Sequence, residues 1–259
     1  RGNEYLASAP KYNLLYEAFG WDIPKYIHVS PIMKDKHAKL SKRNGDASFE
    51  DLVAKGYLSE AIINYIALLG WAPKGEREIY SLEELKQEFD IEGLSKSPSI
   101  FDPLKLRAIN GEYIRMLTPE KFLEYATPYI RESVKREDVD LSKISALLQN
   151  RTEVFTDIPE QVDFIDEMPN YDLALYENKK MKTNCDTALD ALTRSLPVME
   201  AIEDWRFDVL HDALFKLIAD MGVKNGYVLW PVRVAISGKQ FTPGGAFEIA
   251  EIIGKDDTI

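Results

Sequence analysis

The stretch from 209 to 221 decides the fold, and it reads Val209-Leu210-His211-Asp212-Ala213-Leu214-Phe215-Lys216-Leu217-Ile218-Ala219-Asp220-Met221. Its apolar residues recur with a helical period, at Val209, Leu210, Ala213, Leu214, Leu217, Ile218 and Met221. This period places them along one face of an α-helix, where we expect them to form part of a core. Gly222 follows directly and predicts the end of the helix.

Helical signals of the same kind recur from one end of the chain to the other. Four segments carry helix-start signals, namely Ser48-Phe49-Glu50-Asp51, Ser81-Leu82-Glu83-Glu84, Asp102-Pro103 and Thr118-Pro119. Ser59 is predicted to cap a strongly apolar helix that ends at Gly70, and Pro231 is predicted to start another helix. Alternating strand patterns of useful length are nearly absent, so the sequence predicts an all-α protein.

A charge-dense segment with few apolar residues, from Arg131 to Asp140, indicates a domain boundary there or slightly before it. The length of 259 residues is enough for two compact domains. We therefore predict domains at 1–117 and 118–259, and we keep open a further split of the second domain near residue 175.

Composition and charge argue against a membrane-spanning protein and against a nucleic-acid-binding surface that covers the whole molecule. The chain is 45% hydrophobic and 29% charged, which is ordinary for a globular protein. Its longest apolar stretch, Ala61 to Trp71, is interrupted by Asn64 and is too short to span a bilayer. Because the net charge is −11, any nucleic-acid surface must be local. The single cysteine, Cys185, cannot form an internal disulfide, which fits a cytoplasmic protein.

The richest local source of positive charge is the segment from 34 to 43. Five cations stand there against the single acid Asp35, and they are Lys34, Lys36, Lys39, Lys42 and Arg43. On charge alone, such a run is more often a solvated loop than a functional site. In a nucleotidyl-transfer site, however, cations stabilise the charge that grows on the departing pyrophosphate. Lys42 offers a compact point charge, Arg43 can bind two phosphate oxygens, and Ser41 can add a hydrogen bond.

The segment Lys39-Leu40-Ser41-Lys42-Arg43 resembles the signature loop of bacterial-type glutamyl-tRNA synthetases, which reads Lys-Met/Leu/Ile-Ser-Lys-Arg. Other segments on both sides of the loop are also similar to the family and stand in the same order. They are Arg1-Gly2 and Leu15 to Trp21 before it, and Gly56-Tyr57-Leu58, Leu68 to Trp71, Phe101-Asp102 and Tyr113-Ile114-Arg115 after it. The resemblance covers nearly the whole chain. It implies a stem-contact helical domain followed by a helical-bundle anticodon-binding region.

The resemblance also implies the residues of a catalytic site. All five loop residues, Lys39, Leu40, Ser41, Lys42 and Arg43, would bind ATP, and Lys42 and Arg43 would be catalytic. Arg1, Glu4 and Tyr5 would lie at the amino-acid and acceptor-end site, where an arginine can pair with a substrate carboxylate.

A second site is implied near the carboxyl end. Reading an anticodon requires unstacked bases that are hydrogen-bonded on their edges or stacked on planar groups, and arginine suits both tasks. By position, Arg233, Thr242 and the residue at Gly245 or Ala246 would contact the anticodon. The last position is ambiguous because one extra residue precedes Phe247. On composition alone, the proline and glycines of this segment would simply punctuate helices.

The resemblance implies a parent enzyme that activates glutamate with ATP and Mg²⁺ and transfers it to tRNA(Glu), with tRNA(Gln) kept open as a second substrate. It further implies that tRNA must bind before activation. We expect no protein-ligated metal, no bound cofactor and no membrane association. A cytoplasmic monomer is the default expectation.

Class I synthetases also use a His-x-Gly-His-type motif, and the histidines of this chain, His28, His37 and His211, lie in no such motif. Beginning at Arg1 without an initiator methionine, the chain reads like the carboxy-terminal segment of a longer enzyme. We therefore predict that residues 1–259 alone cannot make glutamyl-adenylate and that the loop 39–43 is mobile. The alternative is a stand-alone, non-catalytic helical module for RNA binding or protein interaction.

Overall fold

The structure is a computed structural model that describes residues 1–40 and 48–259. In these ranges its regular elements are thirteen α-helices, a few short 3-10 helices and a two-stranded parallel sheet. The all-α prediction is confirmed, because each strand has only two residues. No helix in the described ranges has the length and apolar character needed to cross a membrane. The chain packs into two compact units, Arg1–Met116 and Leu117–Ile259.

The first unit holds five of the helices and both strands found in the described residues. They are α1 (Ala9–Ala18), β1 (Ile32–Met33), α2 (Phe49–Ala54), α3 (Ser59–Gly70), α4 (Leu82–Glu88), β2 (Ser99–Ile100) and α5 (Pro103–Met116), with a 3-10 helix at Asn3–Ser8. In the sheet, Ile32 lies opposite Ser99.

Short polar side chains start three helices of the first unit, as the sequence predicts. Ser48 and Ser81 both form capping boxes, in which the serine and the third helical residue exchange hydrogen bonds. At α5, the Oδ1 atom of Asp102 accepts hydrogen bonds from the amides of Leu104 and Lys105, at 2.9 and 3.2 Å. These bonds satisfy amides that have no partner inside the helix.

The start of α3 differs from the prediction. Ser59 is the first helical residue, and the cap position before it is occupied by Leu58. The amide of Leu58 donates to Oδ1 of Asn110 at 2.8 Å. One amide at the start of α3 is therefore satisfied by a side chain of α5, a helix far along the chain, which local sequence reasoning could not anticipate.

An apolar core joins α2, α3 and α5. Its buried members are Leu52, Ala61, Ile62, Tyr65, Leu106, Ile109 and Tyr113. Asn64, the polar residue that interrupts the apolar stretch, is fully buried in α3. Its Oδ1 accepts from the Tyr80 amide at 3.0 Å, and its Nδ2 donates to the Glu78 carbonyl at 2.7 Å. The burial of Asn64 is tolerated because these bonds replace its bonds to water.

The second unit holds the other eight helices of the described residues. They are α6 (Pro119–Ser133), α7 (Leu141–Leu148), α8 (Ile158–Val162), α9 (Cys185–Glu200), α10 (Phe207–Met221), α11 (Asn225–Ser237), α12 (Ala246–Ile253) and α13 (Lys255–Thr258), with 3-10 helices at Phe155–Asp157, Asp163–Ile165 and Leu173–Tyr176. Thr118 accepts a hydrogen bond from the Lys121 amide at 3.3 Å, as predicted for the start of α6.

The stretch that decides the fold forms most of α10. Leu210, Leu214 and Ile218 are its buried residues, and they fall on one face as predicted. Gly222 ends the helix with a φ of 64°. This left-handed backbone conformation favours glycine, because glycine has no Cβ to clash.

The prediction that Pro231 starts a helix is wrong. The helix α11 begins at Asn225, and Pro231 lies inside it. Proline inside a helix costs about 3 kcal/mol, because it removes one backbone hydrogen bond and crowds the preceding turn. Pro231 is buried together with Val228 and Val234, so apolar burial offsets this cost. Position 238 ends α11 with another left-handed glycine, with a φ of 62°.

Candidate functional site

A tight turn leads into the Lys-rich loop. The Oδ1 atom of Asp35 accepts hydrogen bonds from the amides of His37 and Ala38, at 2.7 and 2.9 Å. These two bonds hold the pKa of the Asp35 carboxyl below its ordinary value, because they favour the charged form. The amide of Leu40 then donates to the carbonyl of Ile32 at 3.0 Å. The turn therefore returns the chain to β1 at the point where the loop begins.

Lys39 and Leu40 are the two loop residues that the structure describes. Lys39 forms an isolated antiparallel bridge with Met33, so its backbone is tied to β1. The predicted catalytic and ATP-binding residues Ser41, Lys42 and Arg43 lie outside the described residues. The prediction that the loop is mobile also concerns these residues, which lie outside the described ranges.

The side chain of Arg1 lies among three tyrosine rings. Its guanidinium carbon is 4.5 Å from the ring centroid of Tyr12, 5.6 Å from that of Tyr5 and 5.9 Å from that of Tyr26. Cation–π attraction holds a guanidinium over an aromatic face. The backbone at this point is fixed by Val29, whose amide donates to the Arg1 carbonyl at 2.8 Å. The structure therefore brings Arg1 and Tyr5 together.

Glu4 folds back over the preceding turn. A Cβ atom added to Gly2 would lie 2.2 Å from Oε2 of Glu4, so a side chain at position 2 would displace the carboxylate. The carboxylate of Glu4 thus sits against the backbone that carries Arg1, with a glycine providing the space.

The second candidate site is the Arg233 cluster, which consists of Arg151, Trp230, Arg233, Gln240 and Thr242. Nη1 of Arg233 donates to Oγ1 of Thr242 at 2.6 Å, and its Nη2 donates to the Gln240 carbonyl at 2.8 Å. The guanidinium carbon lies 4.6 Å from the Trp230 ring centroid. Nη1 of Arg151 donates to the Thr242 carbonyl at 3.3 Å.

Burial and charge shape this cluster electrostatically. Burial, and then the nearby charge of Arg151, lower the pKa of the Arg233 guanidinium. Oγ1 of Thr242 also donates to the Gly244 carbonyl at 2.7 Å, so this hydroxyl both accepts and donates within the protein. Two arginines therefore hold the loop 238–245 through Thr242.

The last two predicted anticodon positions lie at the start of α12. The amide of Gly245 donates to Oε2 of Glu248 at 3.1 Å, and Ala246 is the first helical residue. Ala246 is buried, as is Thr242. In the described residues, no group of three or more His, Cys, Asp and Glu side chains is placed to hold a metal ion.

Two family models match the chain. The model described as "Anticodon binding domain" matches residues 121–259, and the model described as "tRNA synthetases class I (E and Q), catalytic domain" matches residues 1–108. The glutamate-tRNA ligases of Clostridium acetobutylicum and Clostridium tetani are each 60% identical to the chain over 259 residues. The chain belongs to the anticodon-binding-domain family, whose model matches more than half of it. The resemblance predicted from the Lys-rich loop and its neighbours is confirmed.

Solved glutamyl-tRNA synthetases share the fold of this family member. A glutamate tRNA ligase of Elizabethkingia meningosepticum, in complex with its amino acid, matches with a TM-score of 0.83 at 28% identity. A second synthetase, from Elizabethkingia anophelis, matches with a TM-score of 0.81 at 28% identity. Both matches cover all of this chain and 54% of the other. The chain also spans about half the length, 53%, of the two Clostridium relatives.

Sequence reasoning missed four side chains around the second site, namely Arg151, Trp230, Gln240 and Phe241. Trp230 lies three residues before Arg233 and one helical turn away. The sequence does not associate Trp230 with Arg233, because the predicted helix starts at Pro231 and leaves Trp230 outside it. Arg151 lies 91 residues before Thr242, so no local pattern relates the two.

Proposed function

We propose that the chain is the stem-contact and anticodon-binding part of a glutamate-tRNA ligase. The complete enzyme would activate L-glutamate with ATP and Mg²⁺ and transfer it to tRNA(Glu), with tRNA(Gln) left open as a second substrate. The observation that carries this proposal is the 60% identity, along all 259 residues, to the glutamate-tRNA ligase of Clostridium acetobutylicum. We further propose a cytoplasmic monomer, with residues 1–117 contacting the stem and residues 118–259 contacting the anticodon.

In the first unit, Lys39, Leu40, Ser41, Lys42 and Arg43 would bind ATP. Lys42 and Arg43 would stabilise the charge that develops on the departing pyrophosphate. The backbone bridge between Lys39 and Met33 supports this proposal, because it anchors the loop to a fixed strand. Arg1 would pair with a substrate carboxylate, with Glu4 and Tyr5 beside it. The tyrosine rings near the Arg1 guanidinium, of which Tyr12 is the nearest at 4.5 Å, support this proposal because cation–π attraction restricts where the guanidinium lies.

In the second unit, Arg233, Thr242 and the chain at Gly245 and Ala246 would form the anticodon site. The acidic net charge of −11 argues against a surface that attracts RNA as a whole. Recognition would depend instead on a few fixed groups. The Arg233 cluster supports this role, because two arginines and a tryptophan fix one short loop at the surface.

The amino-terminal segment presents a largely exposed apolar surface. Nine large apolar side chains between positions 5 and 29 are 38% to 65% exposed, and they are Tyr5, Leu6, Leu14, Leu15, Phe19, Trp21, Ile23, Ile27 and Val29. Among the described residues, three buried polar atoms in this segment have no hydrogen-bond partner, on Asn13, Tyr26 and His28. Exposed apolar area and unpaired buried atoms together mark a surface that another element covers. We propose that the nucleotide-binding half of the enzyme covers it.

Two measurements on the purified 259-residue chain test this function. We expect the chain to bind a tRNA(Glu) transcript more tightly than an unrelated tRNA in a fluorescence anisotropy titration. We expect no glutamate- and tRNA-dependent ATP–pyrophosphate exchange, because the chain carries only part of the ATP site. Exchange above background would contradict the predicted inactivity. Equal affinity for both tRNAs would favour the stand-alone RNA-binding module instead.

A further inference from the structure

The residues predicted to read the anticodon are largely engaged within the protein. Thr242 is buried, and its hydroxyl accepts from Arg233 and donates to Gly244. Arg233 donates two hydrogen bonds to the loop, and its guanidinium carbon lies 4.6 Å from the Trp230 ring centroid. Their contacts serve to fix the loop 238–245. A ligand would therefore meet another side chain of this loop.

The side chain that the loop presents is Phe241. It is 81% exposed, the largest exposed fraction among the large hydrophobic side chains of the described residues. The chain on both sides of it is held, because Arg233 binds the carbonyl of Gln240 and Arg151 binds the carbonyl of Thr242. Single exposed apolar residues are common on protein surfaces. Bonds to the carbonyls on both sides of Phe241 hold its backbone, so its exposed ring is available for stacking.

A groove of about 500 Å³ lies next to Phe241 in the second unit. Its lining residues are Asp157, Glu160, Gln161, Pro169, Gly238, Lys239, Gln240 and Phe241. The charge of Lys239 is paired with Asp163, whose Oδ1 lies 2.6 Å from the ammonium. The acidic groups of the lining repel phosphate, whereas carboxylates and amides form hydrogen bonds with base edges. The groove therefore suits the edge of a nucleobase better than the RNA backbone.

We propose that Phe241 stacks on one unstacked base of the bound RNA, with the edge of that base in the adjoining groove, and that Arg233 acts as a positioning residue for Phe241. This inference rests on the proposed RNA-binding function. Every base has a π-face, so an aromatic side chain can hold a base without specifying it. Arg233 and Arg151 provide the rigidity that a stacking surface needs, because a mobile loop would lose entropy on binding.

The test compares three substitutions of Phe241 in the 259-residue chain, with a tRNA(Glu) transcript as the probe. Phe241→Ala and Phe241→Leu remove the ring, and both are expected to weaken binding by roughly 5- to 150-fold, the range found for loss of one base–aromatic stack. Phe241→Trp retains a ring and should bind within about threefold of wild type. Leu189→Ala, which removes a 68% exposed apolar side chain from α9, is the matched control and should leave affinity unchanged.

Fluorescence distinguishes stacking from general apolar contact. Transcripts carrying 2-aminopurine at single positions of the anticodon loop should include one whose emission is quenched by wild type and by Phe241→Trp. That quenching should be absent with Phe241→Leu. Wild-type affinity of Phe241→Leu would overturn the stacking proposal while leaving tRNA binding intact. Failure of the wild-type chain to bind the transcript would instead overturn the proposed function. If Phe241→Ala alters only self-association, measured by light scattering, the surface is a contact between copies and the proposal is wrong.

A double-mutant cycle tests the positioning role of Arg233. If Arg233 acts through Phe241, the Arg233→Ala/Phe241→Ala variant should bind tRNA(Glu) no more than about twofold more weakly than the weaker single variant. Additive losses would show that Arg233 does not act through Phe241 and would overturn this part of the proposal. Melting temperatures of all variants, measured by circular dichroism, confirm that each variant is folded.

Discussion

The amino-terminal segment 1–29 and the carboxy-terminal segment 230–253 both carry candidate site residues, yet they are built differently. Among residues 1–29, all of which the structure describes, none is buried. In 230–253, most residues are buried, and Trp205 donates its indole N–H to the Ala250 carbonyl at 2.8 Å. The first segment contributes almost nothing to a core, whereas the second forms part of one.

This difference indicates how each candidate site is held in place. The Arg233 cluster is fixed by contacts within its own unit, so its geometry does not depend on a ligand or on another domain. Arg1 is fixed by its backbone and by tyrosine faces that are themselves partly exposed. Substitutions in the two segments should therefore separate effects on folding from effects on activity.

The largest expected difference is between two phenylalanines. Phe122 is fully buried in α6 and packs against Phe155, with ring centroids 5.8 Å apart. Phe122→Ala should lower the free energy of unfolding by about 3–5 kcal/mol, because it removes apolar burial and leaves a cavity. Phe19 is 64% exposed, and Phe19→Ala should lower it by less than about 1 kcal/mol. Urea denaturation followed by circular dichroism measures both.

Equal losses in the two phenylalanine variants would contradict the comparison. Such a result would mean that the amino-terminal segment packs into a core in solution. The denaturant dependence of the unfolding free energy should also stay unchanged in the Phe19 variant, since little surface is exposed or covered by the substitution.

A smaller difference is expected for polar groups. Thr242→Val keeps the shape of the side chain but leaves Nη1 of Arg233 without its acceptor and the Gly244 carbonyl without its donor. The free energy of unfolding should fall by about 1–3 kcal/mol, the range for an unsatisfied buried polar group. Tyr5→Phe removes a hydroxyl from a half-exposed side chain and should change it by less than about 0.5 kcal/mol. Thermal and urea unfolding measure both losses. A larger loss in Tyr5→Phe than in Thr242→Val would contradict the prediction.

Parts of the fold were predictable from sequence because the forces involved act over a few residues. Ser48 and Ser81 start helices through bonds to the third following residue, so their capping boxes appear in the sequence itself. The start of α11 was not predictable in this way. Pro231 is a helix-start signal by local rules, and only its burial in the packed unit explains its place inside the helix.

The candidate site shows the same limit. Arg233 and Thr242 are nine residues apart and could be proposed together from sequence, but their direct hydrogen bond could not. Arg151 reaches the same loop from 91 residues away. Phe241 carries no sequence signal, because a phenylalanine beside helix-ending residues is normally read as core. The role that we propose for Phe241 depends on its exposure, which arises from the packing of the whole unit.

The smallest predicted effect concerns surface charge, where the two units should behave alike. In the first unit, Arg77 donates to the Glu84 carboxylate at 2.5 Å and the Ser81 amide donates to it at 2.7 Å. The Arg77 bond, and then the Ser81 amide, lower the pKa of Glu84 to about 2 from an ordinary 4.5. In the second unit, Arg136 lowers the pKa of Asp138 to about 2 in the same manner.

The sign of the pH effect follows from proton binding. Between the ordinary pKa of 4.5 and the folded value of about 2, the unfolded chain binds more protons at Glu84 than the folded chain does. The stabilisation that the Glu84 carboxylate gives the folded chain is therefore complete above the unfolded pKa and is lost as the pH falls toward 2.

Glu84→Gln tests this pH dependence. Because glutamine cannot titrate, the melting-temperature difference between wild type and variant should shrink between pH 5 and about pH 2. Asp138→Asn should behave similarly. Because both pairs are exposed, added salt should reduce both differences. A difference in Glu84→Gln that is independent of pH would contradict the lowered pKa of Glu84. The two units would then differ in surface charge as well as in burial.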